Sequence, residues 1–232
     1  MFAGLSMTVF LASFIQGSVG FGFALIVAPV FAFVMPSFLP VVLLFLMLPL
    51  NLLVFMRERR ATDWEGAGRV MVGRFLGTFL GMWVLIALSL RQLEIAVGLF
   101  TILAALVALF APPFAPTRTA SLGVGLFTGV TETATGIAGP PLALLYQHAS
   151  APVLRATVAI CFLAGEVISL VILAISGAVS MTQMVSAIYL VPATLLGTML
   201  SRHTHRYIDG PALRIAVLAF SMISGLVLIL KG

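Results

Sequence analysis

The sequence predicts an all-α polytopic membrane protein, on three observations. Hydrophobic residues fill 62% of the 232 positions and charged residues 8%, whereas a soluble domain has roughly a quarter of its residues charged. The 12 basic and 7 acidic side chains are too few to cover a water-facing surface. The apolar residues fall in long runs, and about 20 helical residues suffice to cross a bilayer core of roughly 30 Å. The same composition excludes disorder.

Taken in order, the first apolar region covers 2–35 and is cut at Gln16-Gly17-Ser18-Val19-Gly20-Phe21-Gly22. It begins MFAGLSMTVFLASF, without a basic leader, so it reads as a membrane segment and not as a cleaved signal. Full spans are predicted at about 38–56, 66–88 and 93–111. A second interrupted region, 119–150, is cut at Thr131-Glu132-Thr133-Ala134-Thr135-Gly136-Ile137-Ala138-Gly139-Pro140-Pro141. Spans at about 153–175, 182–200 and 211–230 complete the chain.

Glycine and β-branched threonine at that density continue a helix poorly, and Pro140-Pro141 suits a helix start. The arms beside each cut are about 10–16 residues, or roughly 15–24 Å as helix. Arms that short predict re-entrant hairpins with tips near mid-membrane, against the alternative of one kinked span in each region.

The two halves, 1–116 and 117–232, align at a spacing of 116. Gly20 falls on Gly136, Pro36 on Pro152, Thr78 on Thr194, Leu80 on Leu196 and Gly81 on Gly197. After four extra residues, Ile95-Ala96-Val97 falls on Ile215-Ala216-Val217 and Phe100 on Phe220. The matches together indicate a duplication.

Charge orients the halves. Arg57, Arg59, Arg60 and Arg69 follow the first full span, while the counterpart loop near 175–182 is uncharged. Arg202, Arg206 and Arg214 lie at 201–214, where the counterpart near 89–92 has only Arg91. Equivalent loops therefore prefer opposite sides, which makes the repeats inverted. With the Arg57 loop in the cytoplasm, Arg118 and Arg155 also fall inside, and Arg91 and Lys231 outside. This needs an odd number of crossings per half. One hairpin plus three spans supplies it and puts both termini outside.

Inverted repeats with broken helices are a carrier design. Backbone freed from a helix is tolerated at membrane depth only where protein or a polar cavity surrounds it. The second arm of each hairpin, starting near Phe23 and near Pro140, has an N-terminus with donor N–H groups suited to an anion. The candidate substrate-binding residues are therefore Gln16, Ser18, Gly20 and Gly22 in the first break, with Thr131, Thr133, Thr135, Gly136, Gly139 and Pro140 in the second. Two tips meeting near the midplane would form one pseudo-symmetric site. The alternative is that these small residues only allow close helix packing.

The same residues carry a resemblance. Gly20-Phe21-Gly22-Phe23-Ala24-Leu25 with Pro29, and Gly136-Ile137-Ala138-Gly139-Pro140-Pro141-Leu142 with Tyr146, resemble the TauE/SafE family of sulfite exporters and related sulfur-anion permeases over nearly the whole chain. Phe21 and Phe23 stand where many members have glycines, and Ala138 interrupts the second cluster. The resemblance implies transport of small anions such as sulfite or sulfonates, driven by ion gradients.

Glu132 and Glu166 fall inside apolar segments, where an acidic side chain costs on the order of 2.5–3.5 kcal/mol. They are the candidate proton-coupling residues, since a proton bound with the anion removes their mutual repulsion. The alternative is a static salt bridge or hydrogen bond. Arg74 and Arg155 are candidates for a gate or for anion attraction, against snorkelling to head groups. Asn51 is a candidate interhelical hydrogen bond, with lining of the pathway as the alternative. Trp64 and Trp83 suit interfacial anchoring or packing. Cys161, His148, His203 and His205 complete no metal site, so no metal or other cofactor is expected.

Enzyme chemistry lacks a motif here. A channel would share the broken helices but would need a charged filter, and a structural membrane subunit would not need two symmetric breaks. The expectation is an inner-membrane secondary transporter of small anions in a bacterial cell, most plausibly sulfite, sulfonates or related organic anions, and proton-coupled. Its partners are an anionic solute and the lipid bilayer, with no nucleic acid. Assembly with further copies of the chain stays open.

Overall fold

The computed structural model describes residues 2–110, 116–146, 148–208 and 211–231. Among these residues there are ten α-helices and no strand: α1 Phe2–Val19, α2 Phe23–Val34, α3 Val41–Glu58, α4 Trp64–Ala87, α5 Leu90–Phe110, α6 Arg118–Thr135, α7 Gly139–Leu145, α8 Ala151–Ile175, α9 Met181–Ile208 and α10 Pro211–Leu230. Five apolar stretches are long enough to cross a membrane: Val41–Ala61, Trp64–Ala87, Leu90–Phe110, Ala151–Ile175 and Met181–Arg202. They match the expected spans to within a few residues at each end, and α10 matches the sixth in extent.

Both expected breaks occur where the glycines predict them. Gly20 and Gly22 (φ +96° and +121°) separate α1 from α2, and Gly136 (φ +80°) ends α6 in the left-handed conformation that a side chain disfavours. The chain then folds back on itself. Thr8, Leu11 and Ile15 of α1 share one surface groove with Ile26 and Val30 of α2. In the second case Tyr146, just past α7, reaches the start of α4, to which the start of α6 is also packed.

One arm, α2, falls within the expected 10–16 residues, and the other three do not. The outgoing helices α1 and α6 have 18 residues each, and the returning α2 and α7 have 12 and 7. An 18-residue helix is about 27 Å long, so each tip travels far along the bundle.

Small residues bring the outgoing arms against long helices. Gly73, Gly77 and Gly81 of α4 face Leu122, Leu126 and Val130 of α6, so the two run in the same direction, and a β-carbon at any of the three would strike α6 backbone. Gly125 and Gly129 of α6 lie as close to Val70 and Arg74 of α4. This is the small-residue packing available to helices in lipid. Gly197 and Gly17 play the same part between α9 and α1, against Phe10 and Ser201. Gly98 of α5 and Gly225 of α10 lie against each other's carbonyl oxygens.

Helices α3 and α8 form the central antiparallel pair. Val41 and Leu44 cluster with Leu170 and Leu173 at one end, Asn51 meets Glu166 further along, and Glu58 meets Arg155 at the other end. Arg57, Arg155 and Arg202 gather at that second end. At the opposite end of α9, Gln183 donates to the Ser37 carbonyl and Lys231 to that of Phe33, while Arg91 donates to Leu228 and Ile229. Trp64 and Trp83 are 62% and 70% exposed, and Trp64 meets the Phe55 ring edge-on.

Candidate functional site

The polar residues that hydropathy marks as costly meet inside the bundle. Gln16 of α1 donates through Nε2 to Asn51 Oδ1 of α3 (3.1 Å), and Asn51 Nδ2 donates to Glu166 Oε1 of α8 (2.6 Å). Arg74 of α4 pairs with Glu132 of α6, and neither side chain has any exposure. Arg74 also lies within electrostatic reach of Glu166, and its guanidinium sits over the Phe162 ring at 5.6 Å. Thr133 and Ser169 share a hydrogen bond of 2.8 Å. Helices α1, α3, α4, α6 and α8 thus contribute to one buried network.

Each contribution has a local cause. Gln16 accepts the Phe23 N–H through Oε1 at 2.9 Å, which caps the broken end of α2. Its amide therefore serves the break and the centre at once. Glu166 and Ser169 are three residues apart on one helical face. Gly165 leaves the space in which the Arg74 guanidinium lies. The Glu166 Oε2 atom is buried without a hydrogen-bond partner. Such an atom normally has a reason, such as a proton, a ligand or strain.

The structure does not bring the two tips together. Gly20 rests on Leu154 and Arg155, near the start of α8. Gly136 rests on Leu43, near the start of α3 and at the opposite end of that pair. The long outgoing arms carry the tips past each other's depth, which the expected shorter arms would not. The cavity beside the second break, lined by Thr131, Ile137 and Ala138, holds about 20 Å³, room for roughly one water.

The hydroxyls of the breaks are mostly satisfied within their own helices. Ser18 donates to the Phe14 carbonyl, Thr131 to Thr128 and Thr135 to Thr131. Thr133 alone among them reaches another helix. Gly22 lies beside Ile15 and Val217. Gly139 and Pro140 open α7, and their side-chain surroundings lie outside the described residues.

Arg74 and Arg155 are both held in ion pairs. Arg74 is 0% exposed. Arg155 holds Glu58 through three contacts of 2.8–3.0 Å, and its aliphatic stem lies under Gly20. Arg57 Nη2 donates to the Gly17 carbonyl at 3.0 Å. The first tip is therefore fastened to α3 and α8 by two arginines and one glutamate. Glu58 was not legible as a site residue, because Arg57-Glu58-Arg59-Arg60 reads as a topology-setting loop. Ser169 was missed too, although its spacing from Glu166 marks a shared face.

The second hairpin is tied down at its return. Tyr146 donates its hydroxyl to Asp63 Oδ2 (3.2 Å), while Asp63 Oδ1 accepts the Gly66 N–H and caps α4. Among the described residues no group of three or more His, Cys, Asp or Glu is placed to hold a metal, and His148 is exposed. His203 and His205 have side chains outside the described set.

A family model described as "Sulfite exporter TauE/SafE" matches residues 5–228. No curated protein and no solved structure matches the chain significantly.

Proposed function

The chain belongs to the TauE/SafE sulfite exporter family of integral membrane transporters, and from that premise we propose that it is a proton-coupled secondary carrier of small sulfur-containing anions. The observation that carries this reading is the fully buried Arg74–Glu132 pair with Glu166 beside it. A buried ion pair adds little net stability over apolar packing, and ionisable groups at membrane depth mark solute and proton pathways.

The chemistry follows from charge balance. Arg74 is a fixed cation neutralised by Glu132. A proton delivered to the Glu132 carboxylate removes the guanidinium's paired counter-ion, and one substrate anion takes its place. One proton and one anion then bind together, and the buried charge stays constant. Glu166, held by Asn51 on one oxygen only, is the second proton acceptor. Arg155 and Glu58, closed over the first tip, act as a gate at the arginine-rich end.

The two halves, 1–116 and 117–232, act as inverted repeats in this reading. Its support is that α6 occupies the positions 116 beyond those of α1, and that the equivalent helices α3 and α8 run antiparallel. Both termini then lie outside a bacterial inner membrane.

The test is flux of labelled sulfite into proteoliposomes under an imposed pH gradient. Saturable flux that scales with the gradient is expected, with flattened pH dependence in Glu132→Gln and Glu166→Gln. A wild-type pH profile in both variants overturns the coupling. Unsaturable conductance means a channel, and no flux of sulfite, thiosulfate or sulfoacetate removes the substrate class.

A further inference from the structure

The arginine-rich end of the bundle carries a feature that the carrier chemistry does not use. Between α3 and α9 lies an open cleft of about 460 Å³ whose walls include Leu53, Met56 and Arg57 on one side and Thr198, Met199 and Arg202 on the other. A second cleft of about 450 Å³ continues past Arg57 to Arg59 and Arg60. Arg57 lies within electrostatic reach of Arg155 and Arg202. Among the described residues that line these clefts the acid is Glu58, which takes three contacts from Arg155 and has its nearer oxygen 3.4 Å from Arg57 Nε. That Nε is buried, and it shares the Glu58 carboxylate with Arg155.

We propose that this cleft binds an anionic phospholipid, with the phosphodiester between Arg57 and Arg202 and an acyl chain laid over Leu53, Met56 and Met199. Guanidinium groups recognise phosphate oxygens in paired geometry, and basic pockets between spanning helices take anionic head groups. The apolar wall decides between a lipid and a free anion. Met56 and Met199 are 57% and 61% exposed on the outer face of the bundle. A small inorganic anion engages only the arginines, whereas a lipid held by them also lays an acyl chain along this apolar face. The head group and the Gly17 carbonyl address the same Arg57 side chain, so lipid occupancy bears on how firmly the first tip is held.

The experiment uses the full chain, purified and delipidated in detergent, with dioleoylphosphatidylglycerol and dioleoylphosphatidylcholine as probes. Retention is read by native mass spectrometry and stabilisation by thermal shift, neither of which depends on transport. The phosphatidylglycerol is expected to bind at least tenfold more tightly than the phosphatidylcholine. Arg57→Gln with Arg202→Gln should reduce that preference to within twofold, while Arg57→Lys with Arg202→Lys should keep most of it. Arg202 is exposed, so Arg202→Gln alone provides a folded control with at least a threefold loss. Equal retention of the two lipids by the unaltered chain, or undiminished preference in the Gln variants, overturns the proposal. So does inorganic phosphate or sulfite stabilising the lipid-free protein as much as phosphatidylglycerol does, because the site would then serve a free anion.

Discussion

Gly165 of α8 lies directly against the guanidinium of Arg74 of α4, so that a β-carbon at position 165 would overlap its Nε, Cζ and Nη2. The guanidinium is pinned on its other sides by Glu132 and by the Phe162 ring. We predict that Gly165→Ala displaces Arg74 from Glu132 and lowers stability by about 2 kcal/mol, part of the cost of breaking a buried ion pair. The check is the thermal midpoint of the purified variant. An unchanged midpoint would mean that Arg74 has somewhere else to go.

Removing one partner of the Arg74–Glu132 pair leaves an uncompensated charge with no exposure. Arg74→Met should therefore destabilise by about 3–5 kcal/mol, and the double variant Arg74→Met with Glu132→Leu should recover most of that loss. We predict that the double variant folds and carries no anion flux. Midpoints separate the structural part from the functional one, and flux in a well-folded double variant would show that the pair is only structural.

The three contacts between Arg155 and Glu58 hold the Gly20 tip against α8. We predict that Glu58→Gln loosens it. A cysteine placed at Ser18, which is buried at 0% exposure, should then react several-fold faster with a charged thiol reagent applied from the arginine-rich end. The native Cys161 is also 0% exposed and adds little background. Equal labelling rates with Glu58 and with Gln would rule out the gate.

At Gly136 two costs coincide. Its φ of +80° disfavours any side chain, and a β-carbon there would enter the Leu43 side chain. Gly136→Ala is expected to cost about 1–2 kcal/mol for the backbone alone. Gly4, with open space around it, is the control: Gly4→Ala should be neutral or slightly stabilising, since it sits in α1. Denaturation midpoints compare the two, and similar values would remove the argument from backbone geometry.

The spans, the breaks and the membrane class were legible because their causes are local. Hydropathy is a property of a run of neighbours, and Gly20-Phe21-Gly22 and Gly136 punctuate helices wherever they stand. Glu132, Glu166 and Arg74 could be flagged singly, because a charge in an apolar run is conspicuous. Their partners could not. Asn51 and Glu166 are 115 residues apart, and Arg155 and Glu58 are 97. Glu58 sits among arginines that serve topology equally well, and Gly165 looks like any small residue in a span.

The sequence by itself determined that this chain crosses a bilayer and where its helices break. These follow from the cost of exposing polar backbone and charge to lipid, which each segment meets on its own. Only the tertiary structure decided that the broken tips sit at opposite ends of the α3–α8 pair, and that the centre is an Arg74–Glu132 pair beside Glu166. Those outcomes depend on how far 18-residue arms reach and on which glycines let two helices approach. Both are settled by packing between segments distant in the chain.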